Sequence, residues 1–535
     1  MTNEDIDIAF EKILKSVSDI DMALPASFIG DDDKLLVDEQ KKMLAVFARY
    51  ISEGHPGFAS CDAKNITFSE DVKNKFKLEF LKLYLTSEKE CSVLDMGKKL
   101  FKFTKKYLPD NHFNVFSNQG TPIGMLLNKE EHLLFQKELA DYLQNETIDA
   151  SQRGIIEHLY AERNQVGKNL CDDSEIEGLK CNGVDILDDK KGQTWRMTKI
   201  KNKGQDIMMI GMKRFAAIDE NGKLSEDLIR DYIALVKEFS KQEYDECDAL
   251  ILDLRGNGGG WPYIGDYMAR TLYGNTVSTE PKGHLKLDTT AAKLSYAYME
   301  QDDYDNYESK KDRLRLIKEN QNTQYSERDG AWTDKYPFNS ELGYKKPILV
   351  LTDQNTGSNA EVTIGRLREH PYMRTIGDHS CGVVQYHPAA TPKASIPLPF
   401  GLKIAVPPQG FTGPNGERLE GIGYQPDYPV CKGGNALLVG LERIDEIKQD
   451  ILQNLPPENN IKTECKREVN IDEVTEMNLK YIGKNNSSLR NCFNELVDIT
   501  STIPQLKTPE HQIDKSKLMI EEKILDEIKH KIIDK

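Results

Sequence analysis

Apolar residues recur every three or four positions through the first 108 residues, as in Ile6, Phe10 and Ile13. This spacing places them on one face of an amphipathic helix. Residues 431–535 show the same spacing, and Pro456-Pro457 divides it. Both ends of the chain are therefore predicted to be helical. The C-terminal helices are predicted at Ala436–Ile451 and Leu518–Ile533.

The middle of the chain changes to short apolar runs separated by helical spacing. Residues 208–212, 249–252 and 347–353 are such runs, and a predicted helix over 224–239 lies between the first two. Unbroken apolar runs bounded by turn residues are typical of strands buried on both faces, and their alternation with helices favours a parallel sheet. The sequence predicts an α/β fold. The predicted division is a helical region at 1–108, a mixed α/β region at 109–204, an α/β core at 205–430 and a helical region at 431–535.

A polar and charged segment, residues 276–345, lies between two predicted core strands. Long insertions at the functional end of a sheet are often lids or substrate walls. We therefore predict that this insertion gates a cleft. A solvated surface appendage is the alternative.

Composition narrows the possible partners and compartment. The chain has 535 residues and a formal charge of −16, which argues against a nucleic-acid partner because nucleic-acid binding needs a concentrated basic face. No run approaches the roughly 20 apolar residues of a membrane span, and the acidic N-terminus does not resemble a signal peptide. Nine cysteines without close pairs favour free thiols and a cytoplasmic location, although a non-standard secretion route stays open.

Two segments carry candidate chemistry. The strand at 249–252 runs into Asp253-Leu254-Arg255-Gly256-Asn257-Gly258-Gly259-Gly260. Such a glycine turn can aim backbone N–H groups at an anion, although a structural turn is the simpler interpretation. A phosphate site is disfavoured because no Gly-Lys-Ser/Thr follows.

The second segment places Ser358 where a tight turn becomes a helix, directly after the strand at 347–353. A hydroxyl at this position is exposed beside the free N–H groups of a helix start, which suits a nucleophile. An ordinary helix N-cap is the alternative.

Together these segments resemble the tail-specific, or C-terminal processing, serine peptidase family. The family's Asp-Leu-Arg-Gly-Asn-x-Gly-Gly motif is matched at 253–260 and its Ser-x-Ala-Glu turn at 358–361. Residues 376–382 and 415–427 look like its two later motifs, in the family's order. The resemblance implies a crotonase-like α/β core, a polypeptide substrate and no metal or organic cofactor. An oligomer is possible.

The resemblance also implies roles for residues. Ser358 is the expected nucleophile, and the backbone N–H groups of Gly259 and Asn359 form the expected oxyanion hole. Asp253 and Arg255 are expected to fix the loop rather than to take part in the chemistry.

The chain departs from the family pattern where many members carry a catalytic lysine. Val383 occupies that place, so a serine–lysine pair is not expected. Branches of the family related to tricorn and the nisin-resistance peptidases use an upstream histidine in a short Asp-x-His turn, and Asp110-Asn111-His112 fits that description. His112 is therefore the expected base. His379 and His387, nearer the nucleophile in sequence, are the alternatives.

An orienting carboxylate would hold such a histidine in the right tautomer. Glu420 and Glu361 are equal candidates, although an acidic residue in a first helical turn, such as Glu361, also has an ordinary structural explanation. Two rival functions remain open: a peptide-binding module that has lost catalysis, and an acyl-CoA enzyme of related fold, against which Ser358 argues. The remaining histidines are expected to be surface or structural residues: His55, His132, His158, His284, His370, His511 and His530.

Overall fold

The protein's structure is a computed structural model. It describes residues 2–24, 30–59, 65–146, 148–160, 169–217, 225–274, 283–287, 289–299, 311, 314–315, 326–329, 338–339, 342–386, 395–413, 416–431, 434–455 and 487–501.

Among the described residues, helices predominate toward both ends of the chain and alternate with strands between them. The helices are α1 (Asn3–Leu14), α2 (Asp19–Ala23), α3 (Val37–Gly54), α4 (Glu70–Leu85), α5 (Val93–Tyr107), α6 (Lys129–Asn145), α7 (Ala150–Tyr160), α8 (Asp173–Cys181), α9 (Glu226–Phe239), α10 (Tyr263–Tyr273), α11 (Thr290–Met299), α12 (Asn359–Leu367), α13 (Ala436–Glu442), α14 (Ile444–Gln453) and α15 (Ser487–Ser501). The strands are β1 (Lys34–Leu35), β2 (Cys91–Ser92), β3 (Asn114–Phe116), β4 (Asp185–Lys191), β5 (Trp195–Asn202), β6 (Gln205–Met212), β7 (Ala249–Asp253), β8 (Gly283–Lys286), β9 (Ser326–Asp329), β10 (Ile348–Thr352), β11 (Met373–Gly377), β12 (Ile396–Pro397), β13 (Lys403–Ala405), β14 (Gln409–Phe411) and β15 (Tyr428–Pro429).

The central feature is a seven-stranded sheet with the order β15-β11-β10-β7-β6-β5-β4. Strands β6, β7, β10, β11 and β15 are parallel, whereas β4, β5 and β6 pair antiparallel. Because parallel strands need crossover connections, helices cover this part of the sheet. The predicted α/β fold is confirmed.

The apolar runs of the sequence are explained by burial on both faces of this sheet. In β7, Leu250 and Leu252 face one hydrophobic core, and Ala249 and Ile251 face another. Helices α9, α10, α12 and α15 cover the first face, and α8, α13 and α14 cover the second. The unbroken apolar run at 249–252 therefore has no solvent-facing side.

The N-terminal helices form a second core, as their spacing predicts. This core includes Phe47 and Phe80 from the helices, and also Ile404 from β13 and Tyr298 from α11. The helical region at 1–108 thus shares its core with segments that follow the glycine turn in sequence.

The insertion at 276–345 lies mostly outside the described residues, so the lid prediction falls largely on chain that the structure does not describe. The described parts are integrated rather than appended. Strand β8 pairs with β14 and β9, and Leu285, Ala291 and Ala292 are buried in the N-terminal core. The Tyr298 hydroxyl donates to the carbonyl of Ala23 at 2.7 Å. These segments contribute to the stability of the fold.

A short three-stranded sheet connects residues 114–116 with the α/β core. Strand β3 pairs with β13, with Val115 opposite Ile404. The side chain of Lys105, in α5, donates to the carbonyl of Phe113 at 2.8 Å. The turn that carries His112 is therefore held from both sides.

The C-terminal region is helical where it is described. The predicted helix over 436–451 is two helices, α13 and α14, which meet at Arg443, and this turn lets both pack on the sheet. The predicted helix at 518–533 lies outside the described residues. Among the described helices, none has the length and apolar character needed to span a bilayer.

Candidate active site

Two neighbouring strands bring the glycine turn and the serine turn together. Strands β7 and β10 pair in parallel with Asp253 opposite Leu351, so the loops that follow them leave the same edge of the sheet. The amide of Gly357 donates to the carbonyl of Asn257 at 2.9 Å, and the Thr356 hydroxyl donates to the carbonyl of Leu254 at 2.9 Å. The two motifs form one hydrogen-bonded unit.

Ser358 has an unusual backbone conformation at the start of α12. Its φ is 53° and its ψ is −126°, a region that residues with a side chain rarely occupy. Such strain persists only where the surrounding structure imposes it, and it is concentrated at functional sites. The conformation supports a nucleophile at this turn over an ordinary N-cap.

Gly259 lies against this turn at contact distance. Its φ is 89°, and a Cβ atom there would lie 2.6 Å from the amide nitrogen of Asn359 and 2.7 Å from the Cβ of Ser358. Only glycine fits this position. The glycine cluster therefore lets the loop backbone approach the serine.

The two predicted oxyanion donors differ in their partners. The N–H of Gly259 donates to Oδ1 of Asn257 at 2.9 Å, so a substrate oxygen would have to share or replace that bond. The N–H of Asn359, at the first position of α12, has no acceptor among the described residues. The Asn359 side-chain amide donates to the carbonyl of Gly260 and fixes the turn against the glycine loop.

Asp253 and Arg255 anchor the loop from below, as expected. The Arg255 guanidinium donates to Asp253 at 2.7 Å and to Glu175 at 2.9 Å, and all three side chains are buried. Asp253 also accepts the amide of Leu170 at 2.8 Å. These carboxylates are occupied by structural bonds.

Glu361 is saturated with hydrogen bonds one turn after the serine. One carboxylate oxygen accepts the amides of Ser358 (3.1 Å) and Val383 (2.8 Å), and the other accepts the Ser380 hydroxyl (2.6 Å) and the Gly382 amide (2.8 Å). Burial raises the pKa of Glu361 to about 7, although the four donors oppose this shift. Its contacts fix the serine turn and leave no oxygen open toward a histidine.

The segments at 376–382 and 415–427 interlock behind this turn. The amide of Gly421 donates to the carbonyl of Gly382 at 2.7 Å. A Cβ on Gly382 would lie 2.6 Å from the amide nitrogen of Ile422, and one on Gly423 would overlap the carbonyl of Ser380. The glycines of both motifs are required by this close approach of two backbones.

Glu420 is buried against the loop at 380–385, which also binds Glu361. Its oxygens accept the amides of Asn111 at 2.9 Å, Gln385 at 3.0 Å and Val384 at 3.3 Å. Burial, and then the charge of Asp110, raise the pKa of Glu420 well above its ordinary value. The loop at 380–385 thus binds Glu361 through Val383 and Glu420 through its next two residues.

His112 lies beside Glu420. A ring nitrogen of His112 and one carboxylate oxygen each of Asp110 and Glu420 lie within 4.8 Å of one another, and all three residues are buried. The amide of His112 donates to Oδ1 of Asp110 at 2.7 Å. The structure therefore brings the predicted base together with two carboxylates, Glu420 and Asp110.

Comparison with known proteins adds an independent observation. Residues 207–430 match the sequence profile of peptidase family S41. This segment is a peptidase family S41 domain. It contains all four motifs described above, and the resemblance inferred from them is confirmed.

The S41 domain has relatives among characterised and solved proteins. The chain is 24% identical over 208 residues to the carboxy-terminal processing protease CtpB of Bacillus subtilis, a match that spans 38% of this chain and 32% of that relative's length. A solved structure of mature CPAF is 12% identical with a TM-score of 0.42, covering 79% of this chain and 99% of that one. A lipoprotein from Streptococcus agalactiae is 11% identical with a TM-score of 0.35, covering 78% and 97%.

His379, one of the two alternative bases, has different surroundings from His112. His379 is partly exposed, and its Nδ1 contacts the carbonyl of Ser380 at 2.9 Å. This contact directs the ring toward its own loop. His387 lies outside the described residues. His112, rather than His379, therefore lies beside two buried carboxylates, Glu420 from the S41 domain and Asp110 from the segment before it.

The three donors Asp110, His112 and Glu420 have the residue types and proximity of a metal site. However, the four carboxylate oxygens of Asp110 and Glu420 already contact N–H groups. These bonds favour a hydrogen-bonded histidine–carboxylate cluster over metal ligation.

Sequence reasoning missed several residues that shape the site. Asp110 was visible in the Asp-x-His turn but was given no role of its own. Gln385 accepts the amides of Leu419 and Glu420 and donates to the carbonyl of Asn65, and the Ser151 hydroxyl donates to the carbonyl of Glu420. Gln385 and Ser151 are distant from each other in sequence and belong to no motif, so no sequence signal marks them.

Proposed function

We propose that this chain is a serine-type C-terminal processing peptidase that hydrolyses peptide bonds of a polypeptide through Ser358 and His112. One observation carries the proposal. The loop at 380–385 donates to Glu361, which accepts the Ser358 amide. The same loop donates to Glu420, which lies beside His112. A strained serine and a buried histidine–carboxylate cluster are thus joined by a single short loop.

The reaction follows from the groups at hand. Ser358 attacks the peptide carbonyl, and His112 accepts its proton and then protonates the leaving amine. The N–H groups of Asn359 and Gly259 stabilise the developing oxyanion, a contribution of roughly 3 kcal/mol for each donor in comparable sites. Water then hydrolyses the acyl-enzyme with His112 again as the base. These steps use side chains, backbone N–H groups and water, and include no metal or organic cofactor.

Glu420, rather than Glu361, is proposed to orient the base. All four hydrogen bonds of Glu361 point to the serine turn and the loop at 380–383. Glu420 lies with Asp110 against His112. The carboxyl group of Glu420 would orient the imidazole, and the negative charge of the neighbouring Asp110 would stabilise the imidazolium that forms when the histidine takes the serine proton.

The finer fold and the setting of the protein are also proposals. We propose a crotonase-like core at 205–430, flanked by the regions 1–108, 109–204 and 431–535. The free cysteines among the described residues, including the buried Cys171, Cys247 and Cys381, support a reducing, cytoplasmic compartment. The charge of −16 disfavours a nucleic-acid partner.

The test is labelling with a fluorophosphonate probe, which reacts with activated serines. The wild-type chain should be labelled, and Ser358→Ala should not be. Ser69→Ala, at the N-cap of α4, is the matched control and should be labelled like the wild type. An unlabelled wild-type protein that still binds peptides would favour the rival peptide-binding module.

A further inference from the structure

His55 is a buried histidine from the N-terminal helices that reaches the proposed active site. It follows α3, and its side chain is fully buried. The Gly57 amide donates to Nδ1 of His55 at 2.9 Å, and Nε2 lies 3.0 Å from Oδ2 of Asp110. An amide can only donate, so Nδ1 supplies the lone pair and the ring hydrogen is on Nε2. His55 therefore donates to Asp110.

Asp110 also binds the backbone of the candidate base, His112. Its second oxygen, Oδ1, accepts the backbone amide of His112 at 2.7 Å. The carboxylate thus bridges the His55 ring and the His112 backbone, and both of its oxygens are used. If the His55 bond were lost, a buried oxygen of Asp110 would lose its donor, which is costly in a buried site.

The walls of the His55 pocket come from two parts of the chain. The ring stacks on Phe68 with centroids 5.1 Å apart and meets the edge of Tyr386 at 4.8 Å. The Tyr386 hydroxyl donates to the carbonyl of Ile66 at 2.8 Å, and Tyr386 directly follows Gln385, which binds Glu420. The pocket therefore joins the N-terminal helical region to the loop that holds both glutamates.

The charges in the cluster are distributed unequally. Burial opposes a charge on Asp110, but the bond from His55 and the nearby histidines hold the pKa of Asp110 below its ordinary value. Burial and the charge of Asp110 raise the pKa of Glu420 well above its own. This difference places the negative charge of the pair on Asp110, the carboxylate that His55 contacts.

We propose that His55 is a positioning residue of this site: its Nε2–H bond fixes Asp110 and, through it, the orientation and proton affinity of His112. The inference rests on the proposed function only for its effect on catalysis. It makes the N-terminal helices part of the catalytic apparatus rather than a separate packing domain.

Other charged groups face the cluster and must stay constant in a test. Glu420 belongs to the 415–427 segment, and the charge of Glu361, in α12, contributes to its raised pKa. Arg418 and Asp149 form an ion pair at 3.8 Å. The charge of Arg418 lowers the pKa of Tyr386, and the charges of Asp149, Asp110 and Glu420 raise it. Lys105 approaches from α5 through the Phe113 carbonyl. The variants below leave all of these unchanged.

The variants test the hydrogen bonds of the two His55 ring nitrogens separately. His55→Gln places an amide donor near Nε2 and should preserve the bond to Asp110. His55→Asn keeps an acceptor for Gly57 but cannot reach Asp110, and His55→Phe keeps the aromatic contacts while removing both bonds. His370→Phe is the matched control, because His370 is also buried among aromatic rings, with Nε2 against the Leu272 carbonyl and Nδ1 accepting the Tyr372 amide.

The first measurement is the titration of His112 by NMR in full-length protein labelled at histidine, with His112→Gln to assign the signal. His55→Asn and His55→Phe should shift the His112 pKa by about half a unit or more, whereas His55→Gln and His370→Phe should leave it near the wild-type value. If one of the first two variants fails to fold, the other makes the same test. An unchanged titration in the folded variant would overturn the positioning role.

The second measurement is peptide hydrolysis across pH. His55→Asn should lower kcat by about tenfold or more with little change in KM and move the acid limb of the profile, and His55→Gln should restore most of the rate. Wild-type rates in His55→Asn would overturn the proposal while the peptidase stands. Absence of wild-type labelling would instead overturn the peptidase, and the His112 titration would still decide the role of His55.

Discussion

The amide of Ser358 donates to the carboxylate of Glu361 at 3.1 Å, one helical turn further along the chain. The same carboxylate accepts the Ser380 hydroxyl and the amides of Gly382 and Val383. The strained serine turn is thus held from its own helix and from the neighbouring loop. Val383, at the place where many relatives carry a lysine, contributes a backbone bond to this arrangement.

Replacing the serine should separate activity from stability. Ser358→Ala should abolish peptide hydrolysis and leave the thermal midpoint close to that of the wild type, because Oγ is not needed for the fold. Ser358→Gly should also be inactive but more stable than Ser358→Ala by about 1 kcal/mol, since glycine tolerates a φ of 53°. Peptide turnover and thermal denaturation measure both effects, and undiminished turnover in Ser358→Ala would contradict the mechanism.

The base predicts the pH dependence of activity. With His112 as the base, the rate should fall on the acid side with an apparent pKa near that of histidine, about 6.5. His112→Ala should lower kcat by several orders of magnitude, and His379→Ala should retain most of the activity. A profile that instead follows His379, with His112→Ala active, would transfer the role.

Glu361 predicts a pH dependence of stability. Because its pKa rises from 4.5 to about 7 on folding, the folded protein retains a proton that the unfolded chain releases. The stabilising contribution is full below pH 4.5 and is lost as the pH rises through 7, a change of about 3 kcal/mol. Between pH 5 and 8 the wild-type midpoint should fall more than that of Glu361→Gln. Glu130→Gln, on the exposed face of α6, should follow the wild type.

The interlocked glycines predict a matched difference in stability. Gly423 and Gly183 both have positive φ, 69° and 77°. Alanine at 183 meets open space and should cost about 1 kcal/mol in unfolding free energy from backbone strain alone. Alanine at 423 would also overlap the Ser380 carbonyl, so several kcal/mol and loss of activity are expected. Equal unfolding free energies in urea would show that the loops are not in close contact.

The insertion predicts a structural rather than a purely kinetic effect of deletion. Replacing residues 285–340 by a short Gly/Ser linker removes Leu285, Ala292 and Tyr298 from the N-terminal core. The thermal midpoint should therefore fall, and activity toward a small activated ester should fall with it. A deletion variant of unchanged stability, altered only in KM for protein substrates, would favour a simple lid.

The sequence by itself determined the local features of this protein. Unbroken apolar runs such as 249–252 specified strands buried on both faces, and periodic spacing specified the helices at both ends. The order of four short motifs specified the family, since each motif encodes a local backbone shape: a glycine turn, a serine elbow and two loops that must approach closely. These properties depend on neighbours along the chain, so they can be recognised in it.

Only the tertiary structure decided which distant groups meet. Glu420 and Glu361 were equal candidates from sequence, and the structure places Glu420 in the cluster with Asp110 and His112, whereas Glu361 binds the serine turn and the loop at 380–383. His55 showed no sequence signal at all, because its partner Asp110 is 55 positions away and its pocket is completed by Tyr386. Long-range contacts of this kind depend on how the helices and loops pack, which the pattern of apolar and polar residues does not specify.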